Sequence, residues 1–274
     1  SGTVTSTGAT FTFSASPVTG ATFQCRLDGA AFAACTSPQS YSGLAEGAHT
    51  FDVRACDAVG NCDASPATRT WTVDTTPPDT TIDSGPSGTV ASSAAPFTFS
   101  ASPASGANFQ CRLDGAAFAA CTSPQSYSGL ADGAHTFDVR ACDAVGNCDA
   151  SPATRTWTVD TTPPSTTIDS GPSGTVTSTG ATFTFSASPA SGATFQCRLD
   201  GAAFAACTSP QSYSGLADGA HTFDVRACDA VGNCDASPAT RTWTVDTTPP
   251  STTIYSGPSG TVTSTGATFT FPAR

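Results

Sequence analysis

The sequence repeats itself with a period of 86 residues, and this constrains the fold more than any other feature. Three evenly spaced tryptophans mark the period: Trp71, Trp157 and Trp243. A unit of 86 residues lies within the usual size range of one domain. We therefore expect three domains, called repeats 1, 2 and 3, and a partial repeat. The expected boundaries are 1–78, which lacks its first strand, then 79–164, 165–250 and the partial repeat 251–274.

The most regular stretch of each repeat predicts a β-strand with one buried face. In repeat 1 this stretch is 43–63, in which Phe51 and Val53 alternate with Asp52 and Arg54. A period of two is the pattern of a strand whose sides face the core and the solvent. Because the stretch occurs three times almost unchanged, each repeat is expected to be built around it.

The rest of each repeat contains short apolar segments between turn residues, without a helical period. Asp114 and Gly115 predict a tight hairpin, because both tolerate a positive φ. Seven or so short strands are typical of a two-sheet antiparallel β-sandwich, so we predict an all-β chain. ThrThrProPro at 161–164 predicts a short, semi-rigid linker. In repeat 2 the expected strands are 80–83, 97–101, 107–113, 118–121, 136–142 and one ending at 159, with a turn at 84–88.

Twelve cysteines in three sets of four predict two disulfides within each repeat and an oxidising, extracellular environment. We favour Cys25 with Cys35 and Cys56 with Cys62, because a hairpin or tight turn brings each pair together. The alternative joins Cys25 to Cys56 between the sheets. Without a CysXaaXaaCys motif, a zinc site is not expected. The predicted disulfide cysteines are Cys25, Cys35, Cys56, Cys62, Cys111, Cys121, Cys142, Cys148, Cys197, Cys207, Cys228 and Cys234.

A family resemblance is carried by Tyr127–Asn147, where a Tyr, a Leu and a Gly turn precede the alternating strand and an AspAlaValGlyAsn turn. With the flanking PheGlnCysArgLeuAspGly and TrpThrValAsp, this segment resembles bacterial Ig-like and fibronectin type III-like extracellular tandem repeats of large surface proteins. The resemblance covers the whole chain. It implies Ig-like domains at the cell surface or in a secreted protein, used as stalks, spacers or accessory modules.

Charge and motifs argue against several classes of protein. The net charge of -11 would repel polyanions, which disfavours nucleic acid as a partner. No GlyXaaSerXaaGly or HisGluXaaXaaHis motif occurs, and a chain without Lys has no P-loop. No apolar run approaches the roughly 18 residues of a membrane span. We therefore expect a protein that is not an enzyme and requires no cofactor, with calcium as a candidate ligand.

The AspAlaValGlyAsn turn and its neighbours form the candidate calcium site. Calcium binds several carboxylate and carbonyl oxygens, and some resembling bacterial repeats bind it between domains. The alternative is turn chemistry, because Asp and Asn beside Gly are ordinary turn residues. The histidines at 49, 135 and 221 are expected to have a surface or capping role. The candidate ligands are Asp57, Asn61, Asp63, Asp74, Asp143, Asn147, Asp149, Asp160, Asp229, Asn233, Asp235 and Asp246.

The partial repeat supplies the segment that repeat 1 lacks and then spans its first 16 positions, identical over the first 13 and diverging at Pro272. One interpretation is head-to-tail strand addition, in which the partial repeat completes repeat 1 of another copy and a fibre grows. The alternative is that the sequence is a window from a longer continuous array. The candidate strand-donor residues are Thr252, Thr253, Ile254 and Tyr255.

These features together predict a non-enzymatic, extracellular structural protein that forms a surface stalk, a spacer or a filament. Three near-identical copies favour a requirement for length or valency over a single catalytic cleft. The expected partners are the protein itself, through neighbouring repeats or copies in a fibre, and a cell-surface glycan or protein. The alternative function is a multivalent adhesin or a glycan-binding accessory module.

Overall fold

A computed structural model describes residues 2–16 and 20–271. The chain divides into two compact units, Ser1–Asp160 and Thr161–Arg274, and each is described by itself. All regular elements of the described residues are strands. The described residues form three apolar cores, two in the first unit and one in the second. The predicted domain boundaries stay a prediction, and "repeat" continues to denote a stretch of sequence.

The first unit contains repeat 1 and repeat 2 as far as Asp160. The strands of repeat 1 are β1 (Thr3–Val4), β2 (Ala9–Phe11), β3 (Thr22–Leu27), β4 (Ala33–Cys35), β5 (Gln39–Tyr41), β6 (Gly47–Cys56) and β7 (Ala67–Val73). Those of repeat 2 are β8 (Asp79–Ser84), β9 (Gly88–Val90), β10 (Ala95–Ser102), β11 (Asn108–Leu113), β12 (Ala119–Cys121), β13 (Gln125–Tyr127), β14 (Gly133–Cys142) and β15 (Ala153–Val159).

Repeat 2 is a sandwich of two sheets. Five strands follow the order β12-β11-β14-β15-β9, and three follow the order β13-β10-β8. Repeat 1 has the equivalent five-stranded sheet, β1-β7-β6-β3-β4, but its second sheet consists of β2 and β5 alone. No described residue of repeat 1 forms a strand equivalent to β8.

The second unit contains repeat 3 and the partial repeat. Its strands are β16 (Ser165–Ser170), β17 (Gly174–Val176), β18 (Ala181–Ser188), β19 (Thr194–Leu199), β20 (Ala205–Cys207), β21 (Gln211–Tyr213), β22 (Gly219–Cys228) and β23 (Ala239–Val245). They form sheets in the orders β17-β23-β22-β19-β20 and β16-β18-β21, the layout of repeat 2.

The longest strand of repeat 2, β14, provides the centre of its core. Phe137 and Val139 alternate with outward-facing residues and have no exposed surface. The ring of Phe97 on the opposite sheet stacks on Phe137 with centroids 4.1 Å apart, and Trp157 packs beside it. Each fully buried side chain of this size contributes about 1.5 to 3 kcal/mol. The alternation in the sequence therefore correctly identified the central strand.

The predicted Ig-like sandwich with two disulfides per repeat is confirmed. The hairpin prediction is confirmed as well, with φ of 50° at Asp114 and 73° at Gly115. Two short strands were not predicted, β9 and β13. β9 overlaps the turn expected at 84–88 and pairs parallel to β15, so one pair of strands departs from the antiparallel arrangement. Three-residue segments without clear alternation carry too little pattern to predict.

Candidate functional site

The cysteines pair within each repeat, across one hairpin and one tight turn. In repeat 2, Cys111 on β11 bonds to Cys121 on β12, and Cys142 at the end of β14 bonds to Cys148. The second bond closes the loop that contains the AspAlaValGlyAsn turn. Repeats 1 and 3 have the same pairs, Cys25–Cys35, Cys56–Cys62, Cys197–Cys207 and Cys228–Cys234.

The AspAlaValGlyAsn turn is held by its first aspartate. In repeat 1, Asp57 Oδ1 accepts hydrogen bonds from the backbone N–H groups of Val59 and Asn61, at 3.0 and 2.8 Å. Asp57 Oδ2 accepts another from Asn61 Nδ2 at 2.9 Å. The bonds from the Asn61 side chain and backbone lower the pKa of Asp57, because they stabilise its ionised form. The hydrogen bonds within the turn therefore hold the side-chain amide of the asparagine in place.

In repeat 2, the asparagine of this turn reaches the end of repeat 1. Asn147 Nδ2 donates to the backbone oxygen of Asp74 at 2.8 Å, as well as to Asp143 Oδ2 at 2.7 Å. Asp74 directly follows β7, so this bond attaches the start of the linker to the next repeat. The valine of the turn also differs, since Val59 is 83% exposed and Val145 is half-buried.

The far end of the linker is bound beside the same turn. Asp149 Oδ2 accepts a hydrogen bond from the Thr80 backbone N–H at 3.1 Å. The Thr80 hydroxyl oxygen in turn accepts one from the Ala141 N–H at 2.8 Å. Pro78, between the two attachments, is buried. The linker is thus fixed to repeat 2 at both ends.

Repeat 1 also binds this linker, through an acidic residue before its central strand. Glu46 Oε1 accepts a hydrogen bond from the Thr75 N–H at 2.7 Å and another from the Thr75 hydroxyl. These bonds lower the pKa of Glu46. In the second unit, Asp218 accepts the corresponding bond from the Thr247 N–H at 3.0 Å. We call the linker 74–80 and the groups that bind it the joint.

The candidate calcium ligands are divided between the turn and the linker. Asp143 and Asn147 lie together, but both carboxylate oxygens of Asp143 accept hydrogen bonds from the turn. Within residues 2–16 and 20–271, no group of three or more His, Cys, Asp or Glu residues has a metal-binding arrangement. Calcium binding stays a prediction, and a higher melting temperature in calcium chloride than in EGTA would support it.

The histidines are bound more closely than the expected surface role implies. His135 Nδ1 lies 2.8 Å from Asp114 Oδ2, and its Nε2 lies 2.8 Å from the backbone oxygen of Ala131. The ring also packs on Trp157, with centroids 5.5 Å apart. The hydrogen bonds that His135 donates to the Ala131 carbonyl and the Asp114 carboxylate raise the pKa of His135. The histidine thus connects the hairpin turn to the loop before β14.

A second polar cluster covers the outer face of the five-stranded sheet and was not predicted. In repeat 2, the guanidinium carbons of Arg112 and Arg140 lie 4.5 and 4.4 Å from the centroid of the Phe118 ring. Arg112 Nε also donates to Asp138 Oδ2 at 2.7 Å. The recurrence of these residues at fixed offsets from the AspGly turn was the available signal. These cation–π contacts hold the Phe118 ring against the sheet, which is a structural role.

The strand-donor residues lie in an exposed part of the second unit. Ile254 is 63% exposed and Tyr255 is 72% exposed. Near these residues, the Tyr255 N–H donates to the Thr270 oxygen and the Thr270 N–H donates to the Ser256 oxygen, at 3.0 and 3.1 Å. The hydroxyl groups of Ser256 and Thr270 are hydrogen-bonded to each other as well. Pro272 lies outside the described residues.

Among residues 2–16 and 20–271, no helix is long and apolar enough to cross a membrane.

Comparisons with known proteins return structures rather than sequence relatives. No protein-family model matches the chain, and no curated protein matches it. Similar solved structures include the FN1–FN3 domains of chicken CNTN1, with 12% identity, 88% of this chain and 95% of that chain covered, and a TM-score of 0.38. Another is the fibronectin(III)-like modules of Clostridium thermocellum CbhA, with 20% identity, 61% and 94% covered, and a TM-score of 0.38. A third is a 1.5-MDa bacterial ice-binding adhesin, with 15% identity, 82% and 87% covered, and a TM-score of 0.39.

Proposed function

We propose that this chain is a non-enzymatic, extracellular structural array whose Ig-like repeats serve as a stalk or spacer. The joint is the observation that carries this proposal. Its linker is bound by Glu46 on one side and by Asn147 and Asp149 on the other, so little backbone freedom remains between repeats 1 and 2. Restrained joints suit a protein that holds two points apart, whereas a flexible linker suits modules that search for ligands independently.

The disulfides support the extracellular setting of the proposed array. All twelve cysteines are paired, and each bond closes a loop of its own repeat. Such bonds persist in oxidising compartments. Each of the three proposed domains, 1–78, 79–164 and 165–250, is therefore stabilised by its own disulfides, and none of the six joins one domain to another.

The proposed function includes head-to-tail self-assembly. The partial repeat 251–274 carries the apolar side chains of a first strand in an exposed state, with Ile254 63% exposed. We propose Thr252, Thr253, Ile254 and Tyr255 as the donated strand, and a second copy of the chain as the partner.

The joint can be tested with one substitution and a matched control. Asn147→Ala removes the bond to Asp74 and should let repeats 1 and 2 reorient independently. Asn61→Ala removes the same residue of the same turn in repeat 1, where the amide bonds to Asp57, and should leave the joint rigid. Residual dipolar couplings, measured at low protein concentration, report whether the two repeats share one alignment tensor.

Two results would contradict the spacer function. The first is separate alignment tensors for repeats 1 and 2 in the unsubstituted chain. The second is strong retention of the chain on a glycan array, which would favour the adhesin instead.

A further inference from the structure

A series of hydrogen bonds leads from a buried histidine of repeat 1 to the linker. His49 is 8% exposed, and its Nε2 lies 2.8 Å from the backbone oxygen of Ala45. The next residue, Glu46, accepts the hydrogen bonds from Thr75 that attach the linker to repeat 1. The contact that holds the histidine and the contact that holds the linker are therefore adjacent, in the short segment 45–47.

The second unit contains the same arrangement. His221 Nε2 lies 2.9 Å from the backbone oxygen of Ala217. The next residue, Asp218, accepts hydrogen bonds from the Thr247 N–H at 3.0 Å and from the Thr247 hydroxyl at 2.7 Å. The order of histidine, carbonyl, carboxylate and linker threonine is therefore common to both units.

The other side of the His49 ring faces a firmly bound carboxylate. His49 Nδ1 lies 2.8 Å from Asp28 Oδ2, while Asp28 Oδ1 accepts a hydrogen bond from the Thr50 N–H at 2.8 Å. The Asp28 N–H also donates to the Thr50 oxygen at 2.8 Å, so the turn between β3 and β4 is bonded to β6 independently of the histidine. The His49 ring packs on Trp71, with centroids 5.5 Å apart. We therefore expect Asp28 to keep its position in both protonation states of His49.

Two carboxylates lie around His49, and they differ from it in the pH at which they titrate. Asp28 faces the ring from the turn after β3, Glu46 lies beyond the Ala45 carbonyl, and β7 contributes an uncharged indole ring. The hydrogen bonds to the Ala45 carbonyl and the Asp28 carboxylate raise the pKa of His49, whereas the bonds from Thr75 lower the pKa of Glu46. Glu46 is therefore ionised over the whole interval in which His49 loses its proton.

Loss of one proton from His49 places two lone pairs against each other. A neutral imidazole carries a single N–H, and the Asp28 carboxylate is a stronger acceptor than a carbonyl, so the remaining proton stays on Nδ1. Nε2 then presents a lone pair to the Ala45 oxygen 2.8 Å away, and the attraction between these atoms becomes a repulsion. Ala45 and Glu46 are exposed and are followed by Gly47 with a φ of 115°, so this segment is free to move towards solvent.

We infer that the protonation of His49 controls the rigidity of the joint between repeats 1 and 2. When His49 is protonated, the segment 45–47 is held and Glu46 is positioned to accept the hydrogen bonds from Thr75. When His49 is neutral, the segment moves and the linker loses its attachment to repeat 1, while its attachments to repeat 2 remain. This inference rests on the joint of the proposed function and adds a pH-dependent device to it.

Residual dipolar couplings across a pH series test the inference. Cα–Hα couplings of the full chain are suitable, because amide protons exchange with water too quickly at alkaline pH. The series runs from about pH 5.5 to about pH 9, around and above the ordinary histidine pKa of about 6.5. Repeats 1 and 2 should share one alignment tensor at the acidic end and have separate tensors at the alkaline end. The midpoint of this change should coincide with the NMR titration of the His49 ring.

Three variants identify the groups that carry the effect. His49→Gln removes the titrating group, so the rigidity of its joint should be the same at both ends of the pH series. His135→Gln is the matched control, because His135 binds Asp114 and Ala131 of repeat 2 instead, and it should leave the pH dependence unchanged. Glu46→Ala leaves His49 to titrate but removes the contact to the linker, so repeats 1 and 2 should have separate tensors at every pH.

The failure of this inference differs from the failure of the spacer function. The spacer function requires a shared tensor at the acidic end of the series, where His49 is protonated. A joint that is rigid over the whole series overturns the inference and leaves the spacer function supported. A pH-dependent change that persists in His49→Gln or in Glu46→Ala overturns the inference as well. A joint that is flexible at every pH contradicts both.

Discussion

Each histidine lies between two hydrogen-bond acceptors, which determines its protonation. His135 faces the Asp114 carboxylate and the Ala131 carbonyl, both at 2.8 Å. Neither an ionised carboxylate nor a carbonyl can donate, so both ring nitrogens must carry protons for both bonds to form. The folded structure therefore favours the charged imidazolium, in agreement with the raised pKa of His135.

This raised pKa predicts a stability that falls with increasing pH. An unfolded histidine has a pKa near 6.5, and the folded value is higher, so protons are bound more tightly in the folded state. The contribution is complete below about pH 6.5 and is lost as the pH rises through the folded pKa. We expect the free energy of unfolding to decrease over that interval, as measured by chemical denaturation at a series of pH values.

Asp114→Asn provides the control for this pH dependence. Asparagine also tolerates the positive φ of Asp114, so the hairpin should form, while the charge that supports the imidazolium is removed. An NMR titration should show a lower pKa for His135 in this variant, with His49 and His221 unchanged. A pKa of His135 at or below its ordinary value in the unsubstituted chain would contradict the expectation.

At the scale of elements, the second disulfide of each repeat supports the turn that carries the joint. Cys142 and Cys148 bracket Asp143–Asn147, so their bond limits the movement of the Asn147 amide. In repeat 1, Cys56 and Cys62 close the same loop, but its asparagine bonds within the turn. The two disulfides close equivalent loops. They differ because the loop in repeat 2 binds the linker 74–80, whereas the asparagine of the loop in repeat 1 bonds within its own turn.

Removing each of these two disulfides in a separate variant should distinguish its effect on stability from its effect on the rigidity of the joint. Removing the disulfide that closes a loop of this size lowers the free energy of unfolding by about 2 to 3 kcal/mol. We expect both double variants, Cys142→Ala with Cys148→Ala and Cys56→Ala with Cys62→Ala, to lower the free energy of unfolding by a similar amount. Only the first should give repeats 1 and 2 separate alignment tensors. If repeats 1 and 2 share one alignment tensor in both variants, the disulfide has no part in the joint.

At the scale of the whole molecule, the three cores are built from equivalent residues but are not equally covered. Phe137 in repeat 2 and Phe223 in repeat 3 have no exposed surface, and neighbouring Phe97 and Phe183 are buried as completely. In repeat 1 the residue equivalent to these neighbours, Phe11, is half-buried. Less apolar burial means a smaller free energy of unfolding.

We therefore expect repeat 1 to unfold first. Hydrogen exchange followed by mass spectrometry should show faster exchange of β6 than of β14 or β22. Equal protection of the three strands would contradict this order of unfolding.

Much of the fold could be predicted from the sequence because the signals are local. Each of three signals constrains residues that are close in sequence: the alternation around Phe51, the turn at Asp114 and the spacing of the cysteines. Each signal also occurs three times, once in every repeat. These features determined the strands, the hairpin, the disulfide number and the class of sandwich. β9 was missed because a three-residue strand is defined by its partner, β15, far along the chain.

How these local elements meet depends on long-range packing, which the local signals do not contain. Asn147 and Asp74 are 73 residues apart, and nothing in either turn or linker indicates that an amide of one binds a carbonyl of the other. The half-burial of Phe11 and the exposure of Ile254 likewise depend on which surfaces lie against each other. A sequence pattern shows which side of a strand is apolar, whereas the neighbour that covers this side is set by long-range packing, and in this protein long-range packing also forms the joint.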